Sequence, residues 1–403
     1  MSKASFYGRL PFLWMAGVAI LLIALAGAQL LFDSRWVSIG LRDPRIAYVV
    51  GEGWLITDDG RLYHYSPGNP GLSYFDKGKS YQVQLSFDGP LVAWGPAGDD
   101  DLVVANPDGE VAVAIAGDPP RVSRLGKPPL DQSIRSVGRI QIGEFAAGTS
   151  HLAWYSYSVK AWQLLPGEFS LEHDVLASAG RLVFLSQGEL GYLVFDLPDS
   201  YDPASLRYGQ GVITVPGNPE IVDFDAAGRF LWLRTSEGRV LAISFPTTSE
   251  DGQFLAQSVA QLQLEAERPS LGDFQLLPGS LGFMFGPSDE LFRDLWVVGE
   301  EAAYALDPET AAWERFKIPG SGEVRSVGSL WTSSETVGDH IDRLGLSSTG
   351  KVYRQIDRPG ERTVWLFIIG VPATAMLSLV LTIGFAVTGS RRRRASGQAV
   401  PDP

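Results

Sequence analysis

The stretch Phe224–Ser244, which reads FDAAGRFLWLRTSEGRVLAIS, shows most clearly how this chain is built. It contains two apolar runs, Phe230–Leu233 and Val240–Ile243, separated by turn-forming residues that end at Gly238. Short apolar runs joined by a turn that contains glycine are typical of β-hairpins. The stretch therefore predicts two antiparallel strands.

Two phrases of this sequence recur at related intervals. A near-copy of the hairpin, AGRLVFLSQGELGYLVFD, occupies Ala179–Asp196, and the Ala-Gly-Arg that opens each copy is offset by 48 residues. Independently, Ile134–Gly138 (IRSVG) recurs as Val324–Gly328 (VRSVG), an offset of 190 residues and close to four such periods. A repeat of about 40–50 residues is typical of propeller blades.

Seven hairpin-like stretches fit the repeat: Trp54–Tyr65, Leu102–Ala114, Leu152–Leu165, Leu182–Phe195, Phe230–Ile243, Leu295–Leu306 and Leu344–Ile356. We therefore predict an all-β propeller of about seven four-stranded blades. The spacing is uneven, so six or eight blades also fit. Two segments interrupt the rhythm: Leu197–Pro219 predicts a long loop, and Gln253–Glu267 suits either a short helix or an edge strand.

This rhythm resembles the β-propeller repeat class that includes WD40-like and quinoprotein-like domains, over about Trp36–Asp357. The Gly-His and Trp-Asp signature of true WD40 repeats is absent, as is a regularly placed tryptophan docking motif. The resemblance therefore implies a fold and transfers no functional residue.

Two uncharged apolar stretches flank the repeats, at 12–32 and 364–388. Each is long enough to cross a bilayer core of roughly 30 Å as a helix. The second is followed by Arg391, Arg392, Arg393 and Arg394, which the positive-inside rule keeps in the cytoplasm. The chain is thus expected to have a cytoplasmic N-terminus (1–11), an extracytoplasmic propeller (33–363) and a cytoplasmic basic tail (389–403) in the plasma membrane.

The first apolar stretch has a second interpretation. Lys3 and Arg9 resemble the basic region of a signal peptide, and Ala26–Ala28 resembles its cleavage site. The apolar character continues beyond that site to Phe32, which favours a retained helix. Small residues on both predicted spans suggest that the two helices pair in the bilayer.

Composition excludes several kinds of chemistry. There is no cysteine, which removes thiolate metal sites, disulfides and catalytic thiols. The four histidines are not spaced as in zinc motifs, and the sequence has neither a phosphate-binding loop nor a serine nucleophile elbow. The formal net charge of −13 opposes binding to nucleic acid.

The acidic cluster Asp99, Asp100 and Asp101 is the candidate metal site, because a hard cation such as calcium prefers carboxylate oxygens. The alternative is that these three aspartates lie at an exposed loop tip and bind no metal. Asp58 and Asp59 precede a glycine, which is the pattern of a tight turn. No cofactor is predicted, with calcium kept as the alternative.

The segment Arg121–Arg139 is basic in an otherwise acidic chain, and Asp131 is its only acidic residue. Its cations, the candidate partner-binding residues, are Arg121, Arg124, Lys127, Arg135 and Arg139. They suit an acidic partner, whereas pairing with acidic neighbours on adjacent blades is the structural alternative.

The sequence favours a bacterial, membrane-anchored and non-catalytic propeller that binds a protein or an envelope ligand, as an accessory subunit of a membrane complex. The alternative is a propeller enzyme, either a quinoprotein-type dehydrogenase or a glycan-active hydrolase. An enzyme predicts an axial pocket with converging carboxylates or a cofactor. A binding module predicts charged or aromatic patches on one face.

Overall fold

A computed structural model describes residues 34–357 of the 403-residue chain, with internal gaps at 51–52, 68–77, 86, 98–100, 141, 172–174, 179–180, 187–188, 197–205, 216, 228–229, 245–262, 269–274, 277–294, 299–302, 308–311, 317–323 and 335–337. The predicted segments 1–11, 12–32, 364–388 and 389–403 lie outside the described residues. Within the described part, no helix has the length and apolar character needed to cross a membrane.

The described strands form seven four-stranded sheets, numbered I to VII here. The chain enters through β1 (Ser34–Arg42), which belongs to sheet VII. Sheet I contains β2 (Ile46–Val49), β3 (Trp54–Thr57), β4 (Leu62–Ser66) and β5 (Lys79–Gln82). Sheet II contains β6 (Ala93–Pro96), β7 (Leu102–Ala105), β8 (Val111–Ile115) and β9 (Arg121–Gly126). Sheet III contains β10 (Ser136–Ile140), β11 (Gly143–Ala147), β12 (Leu152–Ser156) and β13 (Ala161–Leu164).

The remaining sheets follow the same order along the chain. Sheet IV contains β14 (Leu176–Ser178), β15 (Arg181–Ser186), β16 (Glu189–Asp196) and β17 (Arg207–Ile213). Sheet V contains β18 (Ile221–Ala227), β19 (Phe230–Thr235), β20 (Val240–Ser244) and β21 (Gln263–Arg268). Sheet VI contains β22 (Gln275–Leu276), β23 (Leu295–Val298), β24 (Ala303–Asp307) and β25 (Ala312–Phe316). Sheet VII contains β26 (Val324–Ser334), β27 (Gly338–Ser347) and β28 (Lys351–Asp357), with β1 as its fourth strand.

Each sheet contacts the next one around a ring, mostly through first strands, while sheets I and II share a hydrophobic core. Contacts join β6 to β10, β10 to β14, β14 to β18 and β18 to β22, while β23 of sheet VI contacts β26. The ring closes where β26 contacts β2. The predicted all-β propeller is therefore confirmed, and β1 beside β28 brings the two ends of the domain together in one sheet.

The middle strands read as continuous apolar runs because both faces of each sheet are covered. In β7, Leu102 and Val104 lie in the core shared with sheet I, whereas Val103 and Ala105 lie in the core shared with sheet III. Successive side chains of a strand point to opposite faces, so a strand between two sheets has no solvent side. The fourth strands are more polar, since they form the outer edge of each sheet.

The ring has two faces, defined here by their connections. The upper face carries the connections between the first and second strands and between the third and fourth strands of each sheet. The lower face carries the connections between the second and third strands and those that lead to the next sheet.

Two local predictions need correction, and a third is resolved in favour of one of its two alternatives. The hairpin Leu152–Leu165 consists of the third and fourth strands of sheet III, whereas most of the other predicted hairpins consist of second and third strands. Leu197–Pro219 is not all loop, because Arg207–Ile213 forms β17 by pairing with β16. In Gln253–Glu267, the described residues 263–267 belong to the edge strand β21, one of the two alternatives.

The position of His64 among the aromatic residues of Leu62–Tyr65 predicts a side chain that faces solvent beside its aromatic neighbours. It contacts Trp54, with ring centroids 4.4 Å apart, but it is buried. The reason is that its cross-strand partner is Trp54, whose side chain lies in the core between sheets I and II.

Candidate functional site

The structure does not gather the predicted basic segment into one patch. Arg121 and Arg124 lie on β9, which runs from the upper to the lower face. Lys127 and Arg135 lie in the lower-face connection to sheet III, and Arg139 lies near the upper end of β10. Arg121 and Arg139 are therefore separated from Lys127 and Arg135 by the height of the ring.

Two of these cations are paired within the domain. Arg124 forms an ion pair with Glu110. The Nε atom of Arg139 lies 3.7 Å from Oε1 of Glu144, and its Nη1 atom donates to the carbonyl oxygen of Ala97 at 2.8 Å. For these two arginines the structure shows pairing with acidic residues of the same sheet, not with acidic neighbours on adjacent blades.

Arg121 has a different environment, since it is exposed and makes no ion pair with any residue that the structure describes. Its cross-strand partner is Ile115, which packs against the core shared by sheets II and III. Cross-strand partners point to the same face of a sheet. Arg121 therefore lies at the border of sheet III, while Arg124, opposite Ala112, lies on the side of sheet I.

The acidic candidate Asp99–Asp101 lies only partly within the described residues, because Asp99 and Asp100 fall in a gap. Oδ1 of Asp101 accepts a hydrogen bond from the backbone N–H of Ala116 at 2.8 Å. This bond ties together the two upper-face connections of sheet II. Among the described residues, no group of three or more histidine, aspartate or glutamate side chains is placed to hold a metal ion.

The carboxylate of Asp59, in the turn after β3, is paired with two arginines. Asp59 pairs with Arg45 at 3.0 Å and with Arg61 at 3.2 Å. Arg45 also donates from Nη2 to Oδ2 of Asp43 at 2.8 Å. This hydrogen bond is the main reason that the pKa of Asp43 is lowered to about 2. The cluster stabilises the lower face and has the chemistry of a turn support.

An apolar surface that the sequence did not predict lies on the β12–β13 hairpin. Tyr157 is 51% exposed, Val159 50% and Leu164 46%. Tyr157 and Val159 lie in the upper-face turn 157–160, and Leu164 lies at the lower end of β13. We call them, together with Arg121 across the border, the hairpin surface. Clustered exposed apolar residues on a soluble fold mark interaction sites more often than single ones do.

Two half-buried aromatic side chains support the hairpin surface from below. The ring of Tyr155 lies 5.3 Å from that of Tyr157 and 5.5 Å from that of Trp162, both edge to face. The Nε1 atom of Trp162 donates to the carbonyl oxygen of Leu125 in β9 at 3.0 Å. The hairpin of sheet III is thus fixed to the outer strand of sheet II, which places it near Arg121.

A buried carboxylate lies beneath Tyr157. Glu144 in β11 is fully buried, and its Oε1 atom accepts a hydrogen bond from the Tyr157 hydroxyl at 2.8 Å. Its Oε2 atom is buried without a hydrogen-bond partner among the described residues. Burial raises the pKa of Glu144, and burial together with the adjacent carboxylate raises the pKa of Tyr157.

The closed ring of four-stranded sheets places this chain in the class of β-propellers. No family model matches the chain, and no curated protein sequence matches it either. Solved structures do match, at low sequence identity.

One similar structure is PorZ, described as an essential bacterial surface component of the type-IX secretion system of Porphyromonas gingivalis. It matches with a TM-score of 0.47 and 15% identity over 81% of this chain, and the match spans 38% of the PorZ chain. The WD40 β-propeller domain of Doa1 matches with a TM-score of 0.44 and 10% identity, over 81% of this chain and 99% of that domain. The β-propeller domain of Myceliophteria thermophila Cps50 (Swd1) gives 0.48 and 10%, over 80% and 98%.

The sheet topology confirms the resemblance to β-propeller repeat proteins at the level of the fold. At these identities the likeness transfers no ligand, partner or residue role to this chain.

Proposed function

We propose that this propeller is a non-catalytic binding module that uses the hairpin surface to hold a protein partner. The observation that carries the proposal is the exposure of Tyr157, Val159 and Leu164 on one hairpin, beside an arginine that forms no ion pair within the described residues. Tyrosine and arginine are enriched among the residues that contribute most to protein interfaces.

The charges at this border favour an acidic segment as the partner. Arg121 is exposed there, and Lys160, also exposed and without an ion pair among the described residues, lies at the tip of the hairpin. An acidic segment with an apolar side chain would satisfy both the cations and the apolar surface. A second copy of this chain is the competing occupant, and its net charge of −13 opposes self-association in general.

The proposal includes attachment to a membrane, with the propeller outside the cytoplasm. It is supported by the two uncharged stretches 12–32 and 364–388 and by the four arginines 391–394 that follow the second stretch. In this arrangement the domain presents its binding face at the cell envelope, as an accessory subunit of a larger assembly.

Site-specific photocrosslinking of the full-length protein in its native membrane tests the binding surface. A photoreactive amino acid at Val159 or Leu164 should give a discrete adduct that mass spectrometry identifies as a protein with an acidic segment. The matched control is Val212, which is 58% exposed on β17 in another sheet and should give no such adduct.

The charge reversal Arg121→Glu should abolish the adduct at position 159, whereas Arg124→Glu, on the other side of β9, should leave it. Equal adducts at 159 and 212 would contradict the proposed surface. An adduct formed only with a second copy of the chain would replace the acidic partner with self-association.

A further inference from the structure

Glu144 combines three features that are rarely compatible with a permanent charge. Its side chain is fully buried, its Oε1 atom accepts one hydrogen bond from Tyr157 at 2.8 Å, and its Oε2 atom has no partner among the described residues. A buried carboxylate is stable when ionised only if its oxygens are well paired. Here the neutral acid is the form that burial favours.

The charged and titratable groups around Glu144 come from three elements. Arg139, opposite Glu144 in β10, provides an attractive charge at 3.7 Å but also bonds to the carbonyl oxygen of Ala97. Tyr157 provides a hydroxyl donor from the end of β12. Asp101, in the connection between β6 and β7, provides a repulsive charge. The attraction of Arg139 is weakened because its side chain is 42% exposed to water.

Of the groups that cover Glu144, the turn that begins at Tyr157 is the one most open to solvent. Residues 157–160 are exposed, whereas β11 is buried throughout and β10 is buried except at the half-buried Arg139. A Cβ atom at Gly143 would lie 2.3 Å from the carbonyl oxygen of Tyr155, so β11 and β12 are already in close contact there. Outward movement of Tyr157 is therefore the most direct route by which water reaches the Glu144 carboxylate.

We propose that Glu144 and Tyr157 form a proton-linked latch, which holds the turn 157–160 closed when Glu144 is protonated and releases it when Glu144 is ionised. In the closed state the neutral acid is buried under the tyrosine ring. In the open state the carboxylate is hydrated and the turn is free to move.

The sign follows from linkage between protonation and opening. The closed state holds the proton more tightly than the open state, in which the carboxyl is hydrated and has its ordinary acidity. A rise in pH from the open-state pKa of Glu144 to its higher closed-state pKa therefore favours opening. The ratio of open to closed protein rises by up to about tenfold for each unit by which the two pKa values differ. Below the ordinary pKa of a glutamate, the latch stays closed.

Because the turn belongs to the hairpin surface, the latch would make partner binding depend on pH. This consequence rests on the proposed function, but the latch itself does not. It can be tested on the full-length protein without any partner.

Hydrogen–deuterium exchange of the backbone amides in 157–160, measured between about pH 4 and about pH 8 and corrected for intrinsic exchange, tests the latch. In the wild type, protection of this turn should fall as the pH rises. Glu144→Gln keeps an acceptor for the Tyr157 hydroxyl and cannot ionise, so its turn should stay protected throughout. The control is the equivalent connection 116–120 of sheet II, whose protection should not change.

Tyr157→Phe supplies a second, independent variant. It keeps the aromatic ring and removes the hydrogen bond to Glu144, so the turn should lose protection even at the acid end of the range. A wild-type turn with constant protection overturns the latch, as does Glu144→Gln with the same pH slope as the wild type. Tyr157→Phe with the wild-type profile also overturns it.

The crosslinking assay at position 159 then separates the two proposals. If the turn opens with rising pH but the adduct forms equally at acid and mildly alkaline pH, partner binding does not depend on the latch. That result contradicts the pH-dependent binding and leaves the latch and the binding surface unaffected. Absence of any adduct contradicts the proposed function and leaves the latch.

Discussion

The hydroxyl of Ser326 accepts a hydrogen bond from the backbone N–H of Val49 at 2.9 Å, across the junction where sheet VII meets sheet I. Ser136 makes the same bond to the N–H of Val175 at 2.9 Å, where sheet III meets sheet IV. These serines are the central residues of the two IRSVG-like phrases. The recurrence of this phrase therefore has a structural cause. In both copies, a buried serine on the first strand of a sheet bonds to the backbone of the next sheet.

These serine bonds should stabilise the ring. We expect Ser326→Ala and Ser136→Ala each to lower the free energy of unfolding by about 1–3 kcal/mol, because a buried N–H group is left without its acceptor. Denaturant unfolding followed by tryptophan fluorescence measures the change. Ser123→Ala, at an exposed position of β9, is the control and should be neutral. Equal effects of the three variants would contradict this explanation of the recurrence.

The apolar packing between sheets should carry most of the stability. Leu182 is fully buried in the core between sheets III and IV, so Leu182→Ala should cost about 2–5 kcal/mol in unfolding free energy. Leu164→Ala removes the same atoms from an exposed position and should change stability by less than about 0.5 kcal/mol. A large loss for the exposed variant would show that β13 packs differently.

The Asp43–Arg45 pair predicts a contribution to stability that acid removes. The pKa of Asp43 is lowered to about 2 in the folded protein, below that of an aspartate in an unfolded chain. The contribution is therefore complete above about pH 4 and is lost as the pH falls toward about 2. Unfolding of Asp43→Asn and wild type should differ at neutral pH and converge in acid. Asp108→Asn, at an exposed turn, should follow the wild type throughout.

Glu144 predicts the opposite sign. Its pKa is raised in the folded protein, so its favourable contribution is complete below the ordinary pKa of glutamate and declines as the pH rises through the raised value. We expect Glu144→Gln to unfold at a higher temperature than the wild type at alkaline pH, with the difference shrinking in acid. A variant that is less stable than the wild type at every pH would contradict the idea that burial of this charge is unfavourable.

The absence of native cysteine makes the proposed topology directly testable. Ser123→Cys, in the propeller, should react with a membrane-impermeant maleimide in intact cells. Ser396→Cys, in the tail after the four arginines, should react only after the membrane is permeabilised. Labelling in the reverse order would place the propeller in the cytoplasm and contradict that part of the proposed function. The fold would be unaffected.

Most of the fold could be predicted from the sequence, because the pattern that predicts each hairpin lies within one short stretch of residues. The two apolar runs on either side of Gly238 form β19 and β20 as predicted. The regular recurrence of such hairpins along the chain predicts that similar sheets are repeated. The fourth strands were harder to predict, since they are polar edges without a distinct pattern. For this reason β17 was predicted as a loop, and the hairpin of sheet III was assigned one strand too late.

The candidate site was less predictable, because it depends on side-chain contacts between strands, within a sheet and across sheets. The excess of cations at 121–139 is visible in the sequence, but the pairing of Arg124 with Glu110 and of Arg139 with Glu144 is not. The exposure of Tyr157 and Val159 could not be predicted from the sequence either, because it depends on their position in a turn above the core. A run of tyrosine, serine and valine in 155–159 was the one available signal, and in sequence it reads as part of a strand.

The pairing of β1 with β28 has a consequence for biogenesis. The strand that leaves the ribosome first among those described completes the sheet that leaves it last, so the nascent chain cannot close its ring until synthesis of the whole domain is finished. During that interval, β1 is an unpaired strand whose backbone N–H and C=O groups are free to pair with neighbouring chains.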